Sequence, residues 1–192
     1  VDRGSPGSAN KTFEVVRKMF NFAVSRDILE YTPCAGIEKP SDSVERERVL
    51  NEKEIKTFWE NLEEVPVTEG TRLAFKLLLV LGQRRGETAT AEWQEFDLNK
   101  QTWLIPGKKN KNGKPHKVPL TSLAIELLEE AKEIAGESQW VFPGLSGDKS
   151  LNPGTISQAI IKNRDTFGIG HFTAHDLRRS VASYMGELKI DE

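Results

Sequence analysis

Apolar residues recur along this chain with a helical period in most stretches and with an alternating one in the middle. Phe13, Val16, Phe20 and Val24 stand three, seven and eleven places apart and form one stripe, which predicts an amphipathic helix over 9–29. Met19 and Phe22 are apolar too and lie off that stripe. The helix therefore carries more apolar surface than a single contact needs. Two readings stand: it packs on the rest of this chain, or it belongs to a preceding domain. Gly36, Pro40, Ser41 and Ser43, then the mixed charges Glu45-Arg46-Glu47-Arg48, read as a linker over 36–48. A new domain is expected to begin near Val49.

Beyond the linker the punctuation is regular. Asn51 with Glu54 has the spacing of a capping box and opens a helix to about Leu62. Residues 70–81 are almost wholly apolar, which predicts a buried helix. Phe96–Leu98, Trp103–Ile105 and Lys117–Leu120 read as three short strands. A helix over 122–135 would place Ala124, Leu127, Leu128, Ala131 and Ile134 on one face. Asn152-Pro153 is an N-cap followed by an N1 proline. Thr173 and Asp176 form a capping-box variant that starts the last helix. Helices, a three-stranded antiparallel sheet, then more helices make a mainly helical α+β domain.

Composition narrows the partners. At 192 residues the chain suffices for one well-packed domain with a small appendage. Its net charge of -2 excludes a global basic field, so nucleic acid could be held only by a local patch. Cys34 is the only cysteine, which rules out an intrachain disulfide and fits a reducing, cytoplasmic setting. The polar start, Val1 to Asn10, predicts no signal peptide. The longest apolar run, Leu77 to Leu81, is far too short to span a bilayer. Three histidines and one cysteine without ligand spacing give no expectation of a metal.

Three segments carry candidate chemistry. The first is Gly82-Gln83-Arg84-Arg85-Gly86-Glu87, directly after the buried helix. Arginines there are costly to bury unless paired, and Glu87 stands where it could hold Arg84 by charge-assisted hydrogen bonds. The segment is either a phosphate clamp or a structural Arg–Glu pair. The second is Lys108 to Lys117, which holds Lys108, Lys109, Lys111, Lys114 and Lys117 and no acidic residue. Asn112-Gly113 would turn a β-hairpin whose lysines follow a DNA backbone, unless it is simply a solvated edge. The third is Thr173-Ala174-His175-Asp176-Leu177-Arg178-Arg179. His175 and Arg178 share a helix face, near an N-terminus that favours an anion. Alone, an H-x-x-R of this kind is more often a surface helix.

Taken together and in this order, the segments resemble the tyrosine recombinases, the phage integrase family. That family combines an arginine in G-x-R-x-[GS]-E, a lysine on a β-hairpin, and H-x-L-R. The flanking Trp93–Leu98, Ile105-Pro106 and Pro115–Leu120 are similar as well, and the likeness leans toward integrases of prophages and integrative islands. The resemblance implies the family's catalytic-domain fold for residues 46–192. It implies the last helix of a core-binding domain plus linker for residues 1–40. Arg84 and Arg178 would bind the scissile phosphate, Lys111 would be the hairpin lysine and His175 the family histidine, with Glu87 in support. Lys109 competes with Lys111, being one two-residue slip away. Lys108, Lys109, Lys114 and Lys117 would contact DNA, while His116 and His171 would be structural or DNA-facing.

The implied reaction is attack of a tyrosine on DNA, leaving a 3′-phosphotyrosine and a free 5′-hydroxyl. It needs neither ATP nor a metal, so no cofactor is expected. The implied partners are double-stranded recombination sites and three further copies in a tetramer on DNA. The family's second His or Trp and its nucleophilic tyrosine follow the H-x-x-R helix, and neither is expected within these residues. Tyr31 lies in the N-terminal part, and Tyr184, six residues after Arg178, reads as a packing residue beside Val181 and Met185. The fragment itself is expected to be inactive. The alternatives are a non-cleaving DNA-binding or regulatory module, or an enzyme like the type IB topoisomerases.

Overall fold

The computed structural model describes residues 6–42, 47–110 and 112–189. The chain divides into two compact units, Val1–Glu47 and Arg48–Glu192. In the first, α1 (Pro6–Ser25) is followed by turns. The helix stops short of residue 29 because Asp27 adopts a left-handed φ of 56° and the Ile28 N–H returns to the Ala23 carbonyl at 2.9 Å. The Asn10 amide pins the end of this unit, donating to the Ser41 carbonyl at 2.7 Å and accepting from its N–H at 3.1 Å. The stripe of Phe13, Val16, Phe20 and Val24 is half-buried, whereas Met19 and Phe22 are exposed. Of the expected linker, Ser43 and Glu45-Arg46 lie outside the described residues.

The second unit runs α2 (Glu52–Asn61), α3 (Glu69–Leu81), α4 (Arg85–Ala89), β1 (Phe96–Asp97), β2 (Thr102–Ile105), β3 (His116–Pro119), α5 (Ser122–Ala135), α6 (Pro153–Lys162) and α7 (Ala174–Glu187). Caps set its boundaries. The Asn51 and Thr173 capping boxes are both made, and Asn152 Oδ1 accepts from the Gly154 N–H at 2.7 Å. Helix α3 is the centre: Leu73, Ala74, Phe75, Leu77 and Leu78 are fully buried, and it touches α4, α5, α6 and α7. Phe58, Phe75, Phe167 and Phe172 pack ring on ring at its edge, with centroids 5.2–6.1 Å apart. The sheet is antiparallel in the order β1-β2-β3, with Trp103 opposite Phe96 and Val118, and Ile105 opposite His116. Trp103 and Ile105 are buried and Leu104 between them is exposed, so one face of the sheet closes the core.

One expectation about the helices needs correction. Ile134 was expected on the buried face of α5, yet it is 46% exposed. Three residues beyond Ala131 carries it to the edge of the stripe, while Ala135, four beyond, is half-buried. The short helix α4 follows directly on the turn at Gly82. Among the described residues, no helix is long and apolar enough to cross a membrane.

Acid should loosen this unit. Arg48 grips Glu54 through both nitrogens of its fork, at 3.0 and 2.5 Å, and Lys76 holds Glu63 at 2.6 Å. Those hydrogen bonds hold both carboxyls below the ordinary value of 4.5. A carboxyl lowered in the folded state binds more protons when unfolded, so its contribution is complete above that value and is lost as pH falls through the folded one. Thermal melts between pH 5 and 3 should show the midpoint falling, and Glu54→Gln should flatten the fall. A midpoint indifferent to pH would contradict this.

Candidate active site

The turn between α3 and α4 makes the site possible. Gly82 caps α3 in the left-handed region, φ 60° and ψ 22°, and leaves its carbonyl directed away from the helix. Arg84 is then the N-cap of α4. Glu87, one turn on and with its side chain only 3% exposed, accepts from the Arg84 N–H at 2.9 Å and from its guanidinium NH1 at 2.7 Å. The same NH1 donates to Asn110 Oδ1 at 3.2 Å. Arg178, on α7, donates from its own NH1 to the Gly82 carbonyl at 2.5 Å.

Both arginines are thus anchored through one nitrogen. Among the described residues, Nε and NH2 of each guanidinium meet no protein acceptor. An anion between them would find two charged forks already oriented. The two side chains, with His175 in the first turn of α7, line one cleft of about 990 Å³. The start of α7 is fixed from within: Asp176, 1% exposed, accepts from the Thr173 N–H at 2.8 Å and from Arg179 NH1 at 3.0 Å.

Gly82 is where this arrangement is most easily broken. A Cβ there would lie 2.8 Å from Cγ1 of Val181, and an L side chain in the left-handed region costs about 1–2 kcal/mol by itself. Gly82→Ala should therefore lower the unfolding free energy by at least that much, about 1–2 kcal/mol, in a urea titration. An unchanged midpoint would show that the turn adapts.

The other expected residues fall in different places. Lys108 lines the cleft and is exposed, and Lys114 and Lys117 are exposed on the hairpin. Lys111 lies outside the described residues. Lys109 departs from the expectation of a DNA-facing side chain. Only 14% exposed, its ammonium is spent on the Thr90 carbonyl at 2.5 Å, on Glu92 at 2.9 Å and on Glu95. The two acids lie within the fold, where they need a cation more than the surface does. His171 lines the cleft and His116 is exposed on β3.

Sequence reasoning missed three contributors. Asn110 braces Arg84, Arg164 lines the cleft, and Ser157 on α6 accepts from Arg85 NH1. Asn110 lies in the basic segment without being one of its lysines, Arg164 and Ser157 belong to no motif, and only the spatial neighbourhood reveals all three.

The phage integrase family model matches residues 48–192. The prophage integrase IntZ of Escherichia coli K12 is 27% identical over 97% of this chain and 46% of its own length. The integrase of enterobacteria phage P4 is 28% identical over 82% of this chain and 39% of its own. This chain thus spans less than half the length of these relatives. Among solved structures, a lambda integrase dimer bound to a COC′ core site superposes with a TM-score of 0.80 at 22% identity, covering 99% of this chain and 70% of that one. A lambda integrase tetramer bound to a Holliday junction gives 0.79 at 23%, covering 99% and 57%. The family match takes in Arg84, His175 and Arg178 of the cleft, and this chain belongs to the phage integrase family.

Proposed function

We propose that the whole protein is a site-specific DNA recombinase that cuts and rejoins strands through a 3′-phosphotyrosine. The observation that carries this is the pair of guanidiniums, Arg84 and Arg178, anchored through one nitrogen each on a single cleft. Phosphoryl transfer gathers negative charge on the equatorial oxygens, and prepositioned cations stabilise it where it forms. His175 assists the proton of the attacking hydroxyl, and Lys111 protonates the departing 5′-oxygen. Because one phosphodiester is exchanged for another, the reaction draws on no external energy source.

No tyrosine lines the cleft among the described residues. Tyr184 instead joins Ile55 and Trp59 of α2 in a separate shallow groove. On this reading the nucleophile is a tyrosine outside these 192 residues, and the chain by itself cleaves nothing. Residues 46–192 form the catalytic domain, and residues 1–40 the last helix and linker of a core-binding domain. Lys108, Lys114 and Lys117 follow the DNA backbone. The lambda integrase tetramer, bound to a Holliday junction, supports assembly of the whole protein as a tetramer on its DNA sites.

The test is capture of the whole protein on a suicide DNA substrate, whose cut strand cannot be rejoined. A covalent protein–DNA adduct is expected. Lys111→Ala should slow its formation, and a 5′-bridging sulfur should restore the rate, because a thiolate leaves without a proton. A protein that binds its sites yet forms no adduct would be a non-cleaving DNA-binding module.

A further inference from the structure

We infer that Lys109 and Asn110 are positioning residues that latch the β2–β3 loop, Lys109 to Glu92 and Glu95 and Asn110 to Arg84, and so determine where the following residue, Lys111, is delivered. This rests on the recombinase reading of the cleft.

The loop is fastened at its base. Lys109 is buried with Glu92, Glu95 and the Thr90 carbonyl, and Glu95 also accepts from Trp103 Nε1 at 3.0 Å. An ammonium with three acceptors has no hydrogen left for a phosphate. Its neighbour has a different set of partners. Asn110 Oδ1 accepts from Arg84 NH1 at 3.2 Å and from the Asn112 N–H at 3.4 Å, while Nδ2 donates to the Lys114 carbonyl at 3.0 Å. One amide therefore ties together Arg84 and the chain on both sides of position 111.

The loop ends also close on each other. A Cβ on Gly107 would lie 2.4 Å from the Gly113 carbonyl oxygen, and the Asn110 N–H returns to the Gly107 carbonyl at 3.0 Å. The base is thus closed on itself, and it is joined to the arginine that would hold the phosphate. A general acid must reach the leaving oxygen to within a hydrogen bond, so a residue that sets the loop sets the proton transfer.

The experiment compares the whole protein and its variants on two suicide DNA substrates, one ordinary and one with a 5′-bridging phosphorothioate. Asn110→Ala should slow adduct formation on the ordinary substrate by roughly 10- to 100-fold, the penalty for a misplaced reacting group. On the sulfur substrate the deficit should shrink to about threefold or less, since no proton is needed. Lys109→Met should behave likewise. Because it strands two acids, it is paired with Lys109→Met/Glu95→Gln, which removes one of those charges, and with Lys109→Arg, which should restore the rate. A deficit of equal size on both substrates would overturn the proposal.

Lys111→Ala separates the two levels. If sulfur relieves Lys111→Ala but not Asn110→Ala, the latch fails while the recombinase reading stands. If sulfur does not relieve Lys111→Ala, the assignment of the acid falls and takes the latch with it. DNA affinity against salt gives a second readout. Lys114→Ala should lower the slope of log affinity by ~0.9, the value for one phosphate contact, whereas Lys109→Met should leave it unchanged. An equal drop for Lys109→Met would make it a phosphate contact and end the proposal.

Discussion

Replacing Arg178 with alanine should all but abolish the covalent adduct formed by the whole protein on suicide DNA. Loss of one donor to a developing oxyanion typically costs ~10²–10³ in rate. Here the same change also leaves the Gly82 carbonyl without the guanidinium that reaches it at 2.5 Å. Arg178→Lys should recover little. A lysine offers a single point charge, which can serve the carbonyl or the phosphate, whereas the arginine fork serves both. Folding should suffer less than catalysis, by about 1.5–3 kcal/mol for one hydrogen bond from a charged donor. Rate and stability therefore need to be measured on the same preparation. Undiminished adduct from Arg178→Ala would remove the arginine from the mechanism.

Arg84→Ala should damage both properties. Glu87 would keep the Arg84 backbone N–H at 2.9 Å but lose the guanidinium at 2.7 Å, leaving a carboxylate that is 3% exposed without its cation. The Arg84 side chain is itself 41% exposed, and solvent weakens the pair from that side. A stability loss of about 1–3 kcal/mol is reasonable for the stranded group, beside a rate loss of ~10²–10³. The double change Arg84→Ala/Glu87→Gln tells the two apart. Neutralising the acid should return part of the stability and none of the adduct. If the double variant recovers activity as well, Arg84 acts through the fold rather than on the phosphate.

The features legible in the sequence were those written in short-range chemistry. Asn51 with Glu54, Thr173 with Asp176, and Asn152 before Pro153 each fix a helix start by contacts within three residues. The pairing of Glu87 with Arg84 is of the same kind. What could not be read depends on partners far apart in the chain. Lys109 looks like one member of a basic run until Glu92, Glu95 and Thr90 are seen to converge on it. Asn110 looks like loop filler until Arg84 is found 26 positions away. Helix α4 was hidden because five residues, Arg85–Ala89, are too few for an apolar period to register. Ile134 was misjudged by less than one turn, which periodicity alone does not resolve at a helix end.

The Arg178–Gly82 contact spans 96 positions, and this has a consequence for synthesis on the ribosome. A nascent chain that has emerged only through α6 already exposes Arg84, Glu87 and Asn110, but its second guanidinium has yet to leave the ribosome. Contacts of such long range close last, after the intervening segments have found their places. On the proposed reading, the phosphate-binding pair is therefore completed only when α7 docks. An incompletely made polypeptide, however well its earlier helices have formed, would hold half a grip on the DNA backbone and be unable to commit it to breakage.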